Sequence, residues 1–138
     1  MGLYDIFNVS GSGMSAQTVR LNTTASNIAN ADSVASSSGE VYKARHPVFS
    51  TILKDVGDSS SSAAGVSVVG IVESKAEPIA RYDPNNPLAD EGGYVYAPNV
   101  SLVEEMANMI SASRSYQSNV QVANMTKNLI SQTLTMGK

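Results

Sequence analysis

His46 is the single histidine of the chain, and cysteine is absent. One imidazole beside Pro47, with no thiol and no second imidazole, cannot complete a nucleophilic triad or a histidine-based metal site. The other concentration of polar chemistry is acidic: Asp83, Asn85, Asn86, Asp90 and Glu91 fall within nine residues. Oxygen ligands at that density could bind calcium. Pro84 and Pro87 interrupt the run, however, the EF-hand glycine is missing and the spacing does not fit. A tight solvated turn is the expectation, and an enzyme built on this turn ranks last. Gly11-Ser12-Gly13 lacks the frame of a phosphate loop. Met14, Met106, Met109, Met125 and Met136 read as adaptable packing. No catalytic residue, metal or cofactor is expected, and the chain is not read as an enzyme.

The bulk chemistry narrows the partners. A formal net charge of −3 gives no basic footprint for nucleic acid and no polybasic patch for anionic lipid. No run approaches the roughly 18 apolar residues of a membrane span. Met1-Gly2-Leu3-Tyr4-Asp5 carries neither the basic region nor the apolar run of a cleaved secretory signal. If the protein leaves the cytosol, the expectation is a route that cleaves nothing. Charged residues make up only 15% of the chain, against about 25% in an average globular protein. A small soluble monomer usually covers itself with charge, so this deficit points to surfaces meant for other surfaces.

Punctuation divides the chain in three. All five prolines lie between Pro47 and Pro98, and 14 of the 21 charged residues lie between Asp32 and Glu91. Two proline-free ends, 1–31 and 99–138, flank a β-rich centre at 32–98. The C-terminal end is the clearest helix. Ser101-Leu102-Val103-Glu104 matches a capping box. Leu102, Met109, Tyr116, Ala123 and Ile130 recur every seven residues, with Met106, Ser113, Val120, Lys127 and Leu134 as the set offset by four. That is a coiled-coil seam with polar interruptions, stopped at Gly137. The N-terminal end repeats it more weakly through Phe7, Met14, Leu21 and Ile28. Small residues at Gly11, Thr18 and Ala25 would let a partner helix approach closely. Gly11 and Gly13 each cost about 1 kcal/mol relative to Ala, so this helix needs a partner.

The centre reads as strands at 41–45, 48–53, 66–72 and 93–97, with Ser-rich loops at 32–39 and 58–65 and turns at 83–87 and 90–93. The fold class is α+β: long terminal helices forming a coiled-coil-like inner domain, with a small β-rich central domain. Further stripes lie outside the seam, at Val122, Met125, Leu129 and Met136, and at Val103 and Ile110. One helix pair cannot cover them all. Two readings stay open, a member of an assembly and a monomeric helical-hairpin adaptor that binds one partner.

Ser26-Asn27-Ile28-Ala29-Asn30, following Leu21-Asn22, resembles the N-terminal signature of the rod and hook proteins of the bacterial flagellum. Asn86-Pro87-Leu88-Ala89-Asp90, Gly93-Tyr94-Val95 and Pro98-Asn99-Val100 are similar to the segment leading into their C-terminal helix. Glu105-Met106 and the run from Ser111 through Tyr116-Gln117 to Asn119 resemble that helix itself. Chain length suits the proximal rod members of this axial family. The resemblance implies a structural subunit of the proximal rod, its terminal helices forming the inner layer of a helical tube that passes motor torque to the hook. Export would run through the flagellar type III apparatus into a periplasmic rod. Implied partners are further copies, the other proximal rod proteins, the distal rod and the adaptor at the inner-membrane ring; nucleic acid, direct membrane insertion and a small-molecule substrate are not expected. The residues expected at the helix seam are Phe7, Met14, Leu21, Ile28, Met106, Met109, Tyr116, Val120, Ile130 and Leu134, with Asn27, Asn30, Gln117 and Asn119 setting register.

Overall fold

A computed structural model of the chain describes residues 2–53 and 64–137. The order is α1 (Leu3–Asn30), β1 (Arg45–Leu53), β2 (Ala64–Glu73), β3 (Ile79–Tyr82), β4 (Tyr94–Ala97) and α2 (Leu102–Met136). The chain is α+β, with two long helices flanking a small region of antiparallel strands.

Local chemistry sets the helix ends. The Gly2 N–H donates to Asp5 Oδ2 at 2.9 Å, an acid in the first turn where the helix dipole favours it. At the other end Asn30 Nδ2 donates to the Ser26 carbonyl, and the Ser33 hydroxyl to the Asn30 carbonyl. Ser101 Oγ accepts from the Glu104 N–H at 3.4 Å and so caps α2. The many hydroxyls within the helices bond backward to their own turns. Thr18 donates to the Met14 carbonyl, Thr23 to those of Val19 and Arg20, and Thr126 to that of Val122. These residues therefore cost the helices little polar dissatisfaction.

The helices run antiparallel: Asn27 meets Glu105 near one end, and Gly13 faces Asn119 further along. α1 is the shared element, packed on α2 along one side and on β1 and β2 along another. β1 pairs with β2 from Arg45↔Glu73 to Leu53↔Ala64, with a bulge beside Val48 and Phe49. β3 pairs separately with β4, from Ile79↔Ala97 to Tyr82↔Tyr94. The centre is thus two hairpins, one laid against α1 and the other tied to the loop after α1 by the Ala35–Tyr96 bridge.

Three expectations for the centre change. Val41 to Ala44 are irregular rather than strand, with Val41 and Ala44 buried, and the Tyr42 hydroxyl among them joins the helix contact described below. β3 lies between Pro78 and Asp83, too short to show a period. The Ser-rich loop read at 58–65 falls outside the described residues apart from Ala64 and Gly65, which open β2. The turn at 90–93 is as expected: the Gly93 N–H donates to the Asp90 carbonyl at 3.0 Å, and Gly93 has φ +80°, a conformation that favours glycine.

The core is thin. Among the described residues the buried apolar ones are Ala16, Val41, Ala44, Val95, Pro98, Ala112 and Ala123. The accessible surface is 9332 Å², whereas a folded monomer of 14.4 kDa exposes about 6,800 Å². A Cβ on Gly13 would stand 2.8 Å from Asn119 Nδ2, while one on Gly11 would meet nothing within 4 Å. Gly11→Ala is therefore expected to stabilise the isolated chain by about 1 kcal/mol. Gly13→Ala gains less, because Asn119 must swing away. Urea melts of the two variants check the order.

Candidate assembly interface

Asn27 is the centre of the polar contact between helices, and it is 1% exposed. Its Oδ1 accepts from the Tyr42 hydroxyl at 2.9 Å and from the Arg45 N–H at 2.8 Å. Its Nδ2 donates to the Arg45 carbonyl at 2.9 Å and to Glu105 Oε2 at 3.1 Å. A carboxamide offers two donor hydrogens and two acceptor lone pairs, and all four are used. One side chain thereby fixes α1, the segment entering β1 and the first turn of α2. Burial pushes the Tyr42 phenol above its usual pKa, against the lowering effect of the Arg45 guanidinium; Glu105 and Glu73 add to the rise. Tyr42 so remains a donor through neutral pH. A raised pKa in the folded state means its contribution is whole below pH 10 and is lost only as alkali titrates the phenol.

Two further ties run along α1. Arg20 Nη2 donates to Asn108 Oδ1 at 2.9 Å, and Ser12 Oγ accepts from the Val66 N–H at 3.1 Å. The inter-helix contact thus includes polar ties at Asn27–Glu105 and Arg20–Asn108. On α2 the buried stripe is Glu105, Ala112 and Thr126 with half-buried Asn119, spaced by seven and offset by three from Leu102.

That stripe replaces the expected set offset by four. Met106, Gln117 and Leu134 stand exposed, whereas Val120 is half-buried. The set in phase with Leu102 flanks the contact: Met109 and Ile130 are half-buried, Ala123 is buried and Tyr116 is at its edge. On α1, Met14, Leu21 and Ile28 are half-buried and Phe7 is exposed. Asn30 is half-buried and bonds within its own helix. Asn119 lies against Gly13. Within one chain, alanines, threonines and amides hold the centre of the contact, Met14, Leu21, Ile28, Met109, Val120 and Ile130 are half-buried beside it, and Phe7, Met106 and Leu134 are left exposed. Named only beside Met106 in the C-terminal helix motif, Glu105 has no place in the expected seam. Its position three residues after Leu102 was the available signal, since that offset also defines a seam.

The uncovered residues form a second face. Val103, Ile110, Met125, Leu129 and Met136 fall on one side of α2 at its 3.6-residue period, and all five are exposed. Arg114 is the one charge among them. The buried stripe lies on the opposite side.

The acidic turn satisfies itself. Asp90 Oδ1 accepts from the N–H groups of Gly92 and Tyr94 at 2.9 and 2.8 Å, and Oδ2 accepts from the Tyr96 hydroxyl at 3.2 Å. Among the described residues no three of His, Cys, Asp or Glu converge as metal ligands. The Tyr94 N–H, with help from Gly92, Tyr96 and Gly93, holds the Asp90 carboxyl below its usual pKa. A depressed folded pKa contributes stability above the unfolded value of 3.8 and loses it as pH falls through the folded value. The amide resonances of Gly92 and Tyr94 are therefore expected to move together on acidification below about pH 4, and not in Asp90→Asn.

Comparison with known proteins matches this architecture at both ends. Residues 7–35 match the family described as flagella basal body rod protein. Residues 91–136 match the one described as flagellar basal body rod FlgEFG protein C-terminal. The two matched segments carry most of α1 and all of α2, and with the relatives that follow they make the chain a structural subunit of the flagellar rod class. The chain is 46% identical to the flagellar basal-body rod protein FlgC of Salmonella typhimurium over 138 residues, the whole of both chains. The same-named proteins of Yersinia enterocolitica and Buchnera aphidicola are 47% and 41% identical, again over full length. The chain belongs to the FlgC family of flagellar basal-body rod proteins. It is a structural component of the basal-body rod, associated with other rod components, and not an enzyme. Among the described residues no helix is long and apolar enough to cross a membrane.

Proposed function

We propose that the chain is a subunit of the proximal rod, built side by side with related subunits into a helical tube that carries motor torque. α1 and α2 form its inner layer and the hairpins face outward. Its neighbours are further copies, the other proximal rod proteins, the distal rod and the adaptor at the inner-membrane ring. The carrying observation is the inverted use of α2: two alanines, a threonine, an amide and a carboxylate at the centre of the contact, with Val103, Ile110, Met125, Leu129 and Met136 exposed on the opposite side. A monomer gains nothing from that arrangement, whereas a subunit surrounded by helices buries both faces. Shear resistance then comes from many summed contacts, each worth roughly 1.5–3 kcal/mol per covered side chain. The same economy suits passage through the flagellar type III apparatus into the periplasm without signal cleavage, since a thin core unfolds at small cost.

Sedimentation with circular dichroism over a concentration series tests this reading. Helix content is expected to rise as the chain associates. A fully helical particle that stays monomeric at high micromolar concentration points instead to the adaptor, and the rod reading then fails.

A further inference from the structure

A cleft of about 220 Å³ lies where α1, the start of β1 and the first turns of α2 meet. Thr24 lines it and is only 4% exposed. Every other threonine of the two helices donates its hydroxyl to a carbonyl of its own helix: Thr18, Thr23, Thr126, Thr133 and Thr135. Among the described residues the Thr24 hydroxyl has no partner. A buried hydroxyl in that condition is costly, so its place in the wall of the cleft calls for an occupant that bonds to it.

The charges around the cleft say what kind. Arg20 and Arg45 reach it from different elements. Arg20 spends one of the five N–H donors of its guanidinium on Asn108. Arg45 stands 3.7 Å from Glu73, both side chains being about half exposed, too far for a hydrogen bond. Glu105 also borders the cleft, but Asn27 already holds its Oε2. Two guanidiniums against one engaged carboxylate leave the cleft positive in a chain of net charge −3. Phe49 and half-buried Pro47 add apolar surface beside the charges. We infer that the cleft seats a glutamate side chain projecting from a neighbouring rod subunit. Its carboxylate accepts from Arg20, Arg45 and the Thr24 hydroxyl, and its methylenes lie against Phe49 and Pro47. A carboxylate only accepts, so it answers the donors of the cleft and asks for none. The source of the acid rests on the rod reading, whereas the cleft belongs to the chain alone.

Titration of the isotope-labelled full chain with N-acetylglutamate N-methylamide, followed by nuclear magnetic resonance, tests the cleft. The probe is expected to move the side-chain N–H signals of Arg20 and Arg45 and the amide of Thr24 to saturation. Its glutamine counterpart, equal in shape and neutral, should not. Thr24→Val and Arg45→Gln should each weaken the response several-fold with urea melts close to the parent's, since the Asn27 network uses only the backbone of Arg45. Equal movement with both probes, or none with either, overturns the site and leaves the rod reading standing. Inorganic phosphate moving these signals where the glutamate probe does not makes the cleft a free-anion site and overturns the protein acid. In cells Arg45→Glu should shrink swimming halos several-fold at undiminished protein levels, while Arg45→Lys keeps them. Halos of parental size for Arg45→Glu also overturn the neighbour's acid. The sedimentation series reports on the rod reading separately.

Discussion

Asn27→Ala is expected to destabilise the folded chain by about 3–5 kcal/mol, the largest loss from any single truncation in α1. Four hydrogen bonds disappear at once, and their partners do not regain water equally. Glu105 is buried, and without the amide its Oε2 loses its bond to α1. The Arg45 N–H and carbonyl lose the same side chain together. Orphaned buried groups cost about 1–3 kcal/mol each, more where the group is charged. Asn30→Ala, which removes only a bond within its own helix, should cost less than about 1 kcal/mol. Glu105→Gln keeps an oxygen for Asn27 Nδ2 and should be mild, whereas Glu105→Ala should approach Asn27→Ala. Urea unfolding of the four variants gives the comparison. An Asn27→Ala chain as stable as Asn30→Ala would remove the amide from the centre of the fold.

The helices were legible because their signals are long. Seven-residue recurrence over α2, a cap at Ser101 and prolines confined to the centre all agree, and agreement across levels is what specifies an element. The phase of the seam was not legible. Offsets of three and four from Leu102 are both helical neighbours, and hydrophobicity favours the second because it collects Met106, Val120 and Leu134. The molecule uses the first, collecting Glu105, Ala112, Asn119 and Thr126. Pattern reading assumes that the largest apolar side chains face inward, and a subunit built to be surrounded breaks that assumption. Asn27 could be singled out from its motif, yet its partners Tyr42 and Arg45 could not. Tyr42 sits in the irregular segment before β1 and Arg45 opens that strand, so neither shares a local pattern with α1. Ser12 and Arg20 pair across 54 and 88 positions of chain, a separation that local patterns do not encode.

The inversion of α2 also separates stability from function. Leu129→Glu and Met125→Glu place a carboxylate on exposed positions, where substitutions usually shift stability by no more than about 0.5 kcal/mol. The isolated variants should therefore melt with the parent chain. In the rod the same carboxylate would be buried against an apolar neighbour without a partner, costing several kcal/mol per contact, and the loss repeats at each copy. Rod assembly is expected to fail, with swimming halos reduced to those of cells lacking the subunit, at undiminished protein levels. Leu129→Met keeps the volume and should swim. Ala112→Glu supplies the opposite case, since it breaks the contact inside the chain and should fail in the melt before assembly is asked of it. If Leu129→Glu swims normally, the outer face of α2 is open to solvent in the rod. The apolar surplus would then need another purpose, because a helix that spends its small residues on its own partner leaves its large ones for someone else's.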